Sequence, residues 1–488
     1  MATTGRIIAF GTSGWRGIIA DTFTFPRVRL AAQAVADHLK AAGTAARGLA
    51  VAHDTRFLSE HFAAAAARVA ASEGIPVTAS RTHVPTPAVS HLIRERGLGG
   101  SINITASHNP APWSGFKVNN EKGAPAPPET TRDLEVRIEA LLADPGEAHF
   151  ATEPVPVHHA REAAAAAGGA APVDPEYAEP YLAALARIVR FDVIRRSGIT
   201  VAADPLWGAG RGYLAEALRR HGVPAVLLHD GRDVNFGGLG PDPSERNLAE
   251  LRAVVAGGEA RIGVAADGDA DRFGIVDAGG AVVPANTVLA LLADYLASSR
   301  GWRHGLARTY ATTRLIDAVA EHYGMPVHQT PVGFKYLGEL ILEGKAYLAG
   351  EESAGMSVLG HVPEKDGLLA GLLAAEMAAA TGKSLAALRE DLFRKVGAYH
   401  SSRVDTPVSP DQVARLRSRM KEPPDRVGAR AVASATVLDG LRLDFEDGSW
   451  LLMRPSGTEP VVRYYVEART PADLERLVAD GRTALLGG

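Results

Sequence analysis

Short apolar runs alternate along the chain with longer stretches in which Ala, Leu and Val recur at helical spacing. Residues 49–53 (LAVAH) form an apolar run of strand length. Residues 60–73 then show helical spacing, and residues 75–80 form a second strand-like run. The same signature returns at 199–203, 225–229, 261–266 and 308–311, each time ahead of a loop or a helix. Strand runs that alternate with amphipathic helices predict α/β architecture with mainly parallel sheets.

Breaks in this rhythm divide the chain. Residues 144–175 are rich in Pro, Ala and Gly with few periodic apolar positions, and read as a linker with a surface excursion. A second boundary is expected near 279–284, where a strand ends and a helix over 286–298 begins. A third is expected near 396–404. Beyond it a helix over 410–421 leads into strand-rich runs at 434–445, 450–453 and 461–467, then a last helix over 471–486. That order predicts a mixed α+β unit. The resulting domains are 1–155, 174–282, 283–398 and 399–488, in keeping with about 100–200 residues per domain. The first three are similar enough in size to be distant copies of one fold, and the sequence leaves that open.

Composition narrows the function. A 46% hydrophobic share and a formal net charge of -4 describe a globular chain without the basic stripe of a nucleic-acid binder. There is no cysteine, which excludes disulfides, thiolate catalysis and cysteine zinc sites. The first residues lack the charged start and apolar core of a signal peptide, and no run approaches the ~18 apolar residues of a membrane span. A cytoplasmic protein without nucleic-acid or membrane partners is expected.

Candidate chemistry sits in loops. The segment TASHNP, residues 105–110, follows a predicted strand over 100–105, and Asn109 and Pro110 end regular structure just after Ser107. This setting can hold the Ser107 hydroxyl at the exposed tip of a sheet, as a nucleophile or phosphate carrier; alone it also fits an ordinary loop serine. In DGDADR, Asp267, Asp269 and Asp271 alternate, so their carboxylates project to one side of an extended or turning chain. Such carboxylates repel unless a cation neutralises them, and hard oxygen ligands suit Mg²⁺. A solvated acidic loop is the plainer alternative. An EF-hand is excluded, because Arg272 and Ala278 stand where that loop needs Gly and Glu. Arg272 can hold a phosphate oxygen or pair with one of the same aspartates.

In RPSGTEP, Arg454, Ser456, Gly457 and Thr458 offer a guanidinium fork, hydroxyls and closely spaced N–H groups, which suit either a phosphate cradle or a hairpin turn. GEESAG offers Glu351, Glu352 and Ser353 in a glycine-bounded loop, suited to sugar hydroxyls or to a plain polar turn. Lys117 in SGFKV and Lys335 in VGFKY share a Gly-Phe-Lys context and can stabilise charge or move a proton. His108 adjoins Ser107, and Arg16 lies in the glycine-rich GTSGWRG.

Taken in order, GTSGWRG, TASHNP, SGFK, DGDADRFG, VGFK, GEESAG and RPSGTEP resemble the α-D-phosphohexomutase family over essentially the whole chain. The resemblance implies three related α/β domains with mixed sheets plus a smaller α+β C-terminal domain around a central cleft. It implies phosphorylation of Ser107 and an Mg²⁺ held by Asp267, Asp269, Asp271 and the group on Ser107. It places Arg272 on that phosphate, Glu351 and Ser353 on the sugar hydroxyls, and Arg454, Ser456, Gly457 and Thr458 on the phosphate that is not reacting. Lys117 and Lys335 match proton-transfer or charge-stabilising roles, and Arg16 and His108 would line the transfer site. The implied partner is a small phosphosugar, with glucose 1,6-bisphosphate as activator and the enzyme a monomer or homodimer. The GEES loop resembles those of phosphoglucomutases. Phosphomannomutase or dual specificity is the close alternative, and phosphoglucosamine mutase is less favoured.

Overall fold

The computed structural model describes residues 7–11, 13–143, 171–438, 440–455 and 461–486. The stretch 144–170, most of the expected linker, lies outside these residues. On its far side Asp174 caps the helix Pro175–Ile188, its carboxylate accepting the N–H of Glu176 at 3.1 Å.

The first sheet runs β1 (Trp15–Ile18), β5 (Trp113–Asn119), β4 (Ser101–Ile104), β2 (Leu49–His53), β3 (Val77–Ala79) from edge to edge. The second runs β10 (Ala281–Val283), β9 (Phe273–Asp277), β8 (Ile262–Ala266), β6 (Val201–Asp204), β7 (Ala225–Leu227). The third runs β12 (Val327–Thr330), β11 (Leu306–Thr309), β13 (Leu348–Glu351), β14 (Gly355–Val358). One pattern recurs in all three. A first strand lies parallel to the second and third strands on either side of it, and the fourth then returns antiparallel to the third. The sheets are mixed, as the resemblance implied, and the expectation of mainly parallel sheets drawn from the strand–helix alternation is corrected. The antiparallel return is made by short connections after β4, β8 and β13, too short to hold the crossover a parallel neighbour needs. The recurrence also answers the open question of likeness, since the three units share one strand order.

Helices cover these sheets and bury their strands. One core runs through all three units, with Ala50 and Leu92 from the first, Tyr177 and Val264 from the second, and Leu289 and Leu372 from the third. The helix Gly367–Thr381 is apolar on nearly every face, because it is buried all round and packs on β8 and β9 of the neighbouring unit. Asp366 caps it, accepting the Leu369 N–H at 2.9 Å.

The last unit is separate and α+β, as expected. Its antiparallel sheet is ordered β15 (His400–Pro407), β20 (Val461–Ala468), β19 (Trp450–Pro455), β18 (Leu441–Phe445), β17 (Arg430–Val437), β16 (Arg426–Val427). The period of two along β19 divides its side chains. Leu451 and Met453 join Leu416, Leu477 and Leu485 of the helices Pro410–Lys421 and Pro471–Leu486. Trp450 and Leu452 face the other way, onto Tyr310 and Ala311 of the third unit. Glu467 anchors this docking. Its carboxylate accepts the Arg314 N–H at 2.9 Å, the Trp450 indole N–H at 2.8 Å, and the Thr313 hydroxyl. Among the described residues no single helix is long and apolar enough to cross a membrane.

Candidate active site

The recurring topology places chemistry at one equivalent position in each unit, the turn between the third and fourth strands. That turn carries Ser107 after β4, Asp267 to Arg272 after β8, and Glu352 to Ala354 after β13. The three turns meet. Ser107 Oγ donates to Asp267 Oδ2 at 2.6 Å. Lys117 Nζ, on β5, donates to Asp269 Oδ2 at 2.5 Å and Asp271 Oδ2 at 2.9 Å. Arg272 forms an isolated antiparallel bridge with Gly355 at the start of β14, and the Phe273 N–H reaches the Ala354 carbonyl at 3.1 Å.

Ser107 is not at an exposed tip. It is 1% exposed, and that expectation is corrected. The acidic turn of the second unit covers it so closely that a Cβ on Gly268 would fall 2.3 Å from the Ser107 carbonyl oxygen. Ser107 holds a left-handed backbone, φ 52°, uncommon for a residue with a Cβ. Its N–H donates to Thr105 Oγ1 at 2.9 Å. His108 Nδ1 lies 3.4 Å from Ser107 Oγ. The positive charge of Arg272, together with burial, holds the His108 imidazole well below its usual range, so it is neutral.

The three aspartates are buried, and each offers a carboxylate oxygen within 4.8 Å of the others. Burial, with Asp271 and Asp269 beside it, pushes the Asp267 carboxyl well up. Burial also opposes ionisation of Asp271, but Lys117, Lys365 and Arg272 outweigh it and hold that carboxyl far below the usual range. Asp269 Oδ1 and Asp271 Oδ1 are buried with no hydrogen-bond partner among the described residues. All-oxygen donors, clustered, buried and partly unsatisfied, fit a hard divalent cation such as Mg²⁺.

Arg16, on β1, donates to Asn109 Oδ1 at 2.5 Å, which brings it onto the serine turn. Arg272 lies against the aspartates, its Nε 4.0 Å from Asp271 Oδ1 and without a hydrogen-bond partner among the described residues. Glu351, 6% exposed, ends β13 and accepts the Gly333 N–H at 3.1 Å. Burial raises its carboxyl to about 7, assisted by Glu352 and opposed by Lys365 and Arg272. Glu352 turns away to accept the hydroxyls of Thr309 at 3.3 Å and Thr312 at 3.4 Å. Ser353 is half-buried in the turn.

The two Gly-Phe-Lys segments fold differently. Lys117 stands on a strand among the aspartates. Lys335 stands in the first turn of the helix Phe334–Leu342, its Nζ 5.3 Å from the Tyr336 ring centroid. Arg454 is half-buried near the end of β19, whereas Ser456, Gly457 and Thr458 lie outside the described residues.

Three site residues escaped the sequence reading. Lys365 Nζ lies 3.2 Å from both Asp271 Oδ2 and Glu364 Oε1, and these acids raise its affinity for a proton despite its burial. Its only sequence signal is EKDG ahead of an apolar helix. Thr86 Oγ1 donates to Asp269 Oδ2 at 2.6 Å. Arg56 lies beneath the serine turn, after the strand LAVAH.

Comparison with known proteins agrees with this layout. The phosphoglucomutase/phosphomannomutase family matches in four parts: alpha/beta/alpha domain I over residues 8–143, domain II over 179–280, domain III over 284–396 and the C-terminal domain over 412–484. The chain is 31% identical to a phosphoglucomutase of Komagataeibacter xylinus, covering 98% of this chain and 90% of that one. It is 33% identical to a phosphoglucosamine mutase of Frankia alni, covering 98% of each. A solved structure from Thermus thermophilus, provisionally described as a phosphomannomutase, superposes with a TM-score of 0.79 at 32% identity, covering 99% of each chain.

Proposed function

Because the chain belongs to the phosphoglucomutase/phosphomannomutase family of intramolecular phosphotransferases, we propose that it interconverts glucose 1-phosphate and glucose 6-phosphate, with Ser107 carrying the phosphoryl group. The observation that carries this reading is the 2.6 Å contact between Ser107 Oγ and Asp267 within the buried aspartate cluster. Asp267, Asp269 and Asp271 would hold Mg²⁺, with the phosphoryl group on Ser107 as a further ligand. Bound there, the ion supplies positive charge against the phosphoryl oxygens.

Phosphoryl transfer needs mainly positioning and charge stabilisation. Lys117 and Lys365, both held protonated by the acids around them, supply fixed positive charge. Arg272 and Arg16 add guanidinium groups beside the serine turn. In the forward direction the sugar 6-hydroxyl attacks phosphorus, the bond to Ser107 Oγ breaks, and one proton passes in net from the sugar hydroxyl to Oγ. Neutral His108, 3.4 Å from Oγ, would relay that proton, accepting one as the sugar hydroxyl is deprotonated and passing one on to Oγ. The resulting hexose 1,6-bisphosphate turns over and returns its 1-phosphoryl group to Ser107. Glu351 and Ser353 would bind the sugar hydroxyls and fix which end is presented. Lys335 and Arg454, with Ser456, Gly457 and Thr458, would hold the phosphate that is not reacting and its surroundings. Glucose 1,6-bisphosphate would prime the unphosphorylated enzyme.

Glucose is favoured by the GEES turn. The likeness to a phosphoglucosamine mutase at 33% identity makes the amino sugar a second reading, with mannose the other alternative. Rates measured side by side on glucose, mannose and glucosamine 1-phosphates, each primed with its own bisphosphate, decide the matter. The expected result is the highest kcat/KM on glucose 1-phosphate. A higher value on either of the others reassigns the substrate.

A further inference from the structure

Ser107 keeps its left-handed backbone while buried, so something must fix its turn. Arg56 is fully buried and all five of its side-chain N–H donors are used. Nη2 donates to the carbonyls of Ser107 and Asn109, both at 2.6 Å. Nη1 donates to the carbonyls of Pro110 at 2.8 Å and Trp113 at 2.9 Å. Nε donates to Asp54 Oδ2 at 3.0 Å. Asp54 is itself fixed, its Oδ1 accepting the Arg56 N–H at 3.0 Å and the Ser59 hydroxyl at 2.7 Å. From the second unit the buried Phe236 ring lies 5.0 Å from the guanidinium carbon.

We propose that Arg56 is the positioning residue for the phosphoryl-carrying serine: one guanidinium gathers four carbonyls of the turn and sets where Ser107 Oγ meets the aspartates. The inference rests on Ser107 as phosphoryl carrier. A planar fork with donors on both edges is required, because the four carbonyls approach two different nitrogens. A lysine ammonium keeps the charge but presents its donors from one point, and cannot reproduce that span. The charge also counts, since the carbonyl dipoles of the turn all point inward at one place and would repel one another without it. Arg56 is fully buried and its donors are spent on the turn and on Asp54, so its loss is expected to act on the reacting geometry and to leave substrate affinity alone.

The experiment compares wild type, Arg56→Lys and Ser107→Ala. The rate at which glucose 1,6-bisphosphate loads position 107 is followed by intact mass, and kcat and KM are measured on the best hexose 1-phosphate. Arg56→Lys is expected to load at least about tenfold more slowly and to lose kcat to match, with KM within about twofold of wild type. Loading at the wild-type rate, or a raised KM with unchanged kcat, overturns the inference while leaving Ser107 as carrier. Wild-type protein that gains no phosphoryl group, or Ser107→Ala that gains one, overturns the reading of Ser107 and the role of Arg56 with it. Should Arg56→Lys not fold, Asp54→Asn tests the same clamp by loosening the guanidinium at Nε. Slower loading at unchanged KM supports the clamp, and unchanged loading overturns it.

Discussion

Ser107 illustrates how one side chain is specified from several directions at once. Its hydroxyl touches the second unit, its carbonyl is held from below by Arg56, and its N–H is taken by Thr105. Ser107→Ala is expected to remove hexose 1-phosphate turnover altogether in a coupled assay while leaving the far-UV spectrum unchanged. Chelation of divalent cations should do the same reversibly, with activity returning on addition of Mg²⁺. Full activity in either case would count against the reading. Gly355 tests Lys365 indirectly. A Cβ there would lie 2.3 Å from Lys365 Cδ, inside a buried ion-pair cluster with little room to yield. Gly355→Ala should displace the ammonium from Asp271 and cost on the order of tenfold to a hundredfold in kcat.

At the scale of elements, much was legible because local rules suffice. The run LAVAH is the strand β2, and the helices Pro410–Lys421 and Pro471–Leu486 have the bounds that their proline starts and apolar spacing suggested. Ser409 and Gln412 form a reciprocal capping box at the first of these helices. Ser409→Ala is expected to destabilise the C-terminal unit by about 1 kcal/mol, read as a lower denaturant midpoint. The antiparallel returns were not legible, since an apolar strand run carries no mark of its direction. β10, inside the expected boundary near 279–284, was not read as a strand because its three residues, next to a Gly-Gly turn, are too few to show a period. Ser107 was expected at an exposed tip because the sequence shows the turn it stands in but not the second unit lying across it. Lys365 and Arg56 were missed for the same reason: their partners lie on other elements, and a lone cation has no pattern. Lys117 and Lys335 looked alike because three residues of shared context do not report that one is on a strand and the other on a helix.

Across the whole molecule, a buried histidine at the junction between two units contributes to the response to pH. His83, 3% exposed, lies between the first and second units, with Nε2 3.1 Å from the Arg211 carbonyl. Burial, with Arg211 close by, lowers its pKa from 6.5 to about 3. Between those values the unfolded chain binds a proton that the folded protein refuses. The stability associated with neutral His83 is therefore complete above pH 6.5 and is lost as pH falls towards 3, at up to about 1.4 kcal/mol per pH unit. His83→Gln should flatten the acid limb of stability against pH in denaturant titrations, with little change at pH 8. An unchanged acid limb would show that other groups dominate. At the far junction, Glu467 ties the C-terminal sheet to the third unit through the Arg314 N–H and the Thr313 hydroxyl, beside the packing of Trp450 and Leu452 on Tyr310 and Ala311.

The thrice-repeated hairpin has one more consequence. Each unit contributes a different set of groups from the same place in its fold: the buried serine from the first, the acids from the second, the glutamate-bearing turn from the third. No unit expressed alone would hold a working centre, however well it folded. The division is not a separation, since the third hairpin reaches the acids as well: Gly355 bridges Arg272 and packs on Lys365, and Ala354 accepts the Phe273 N–H.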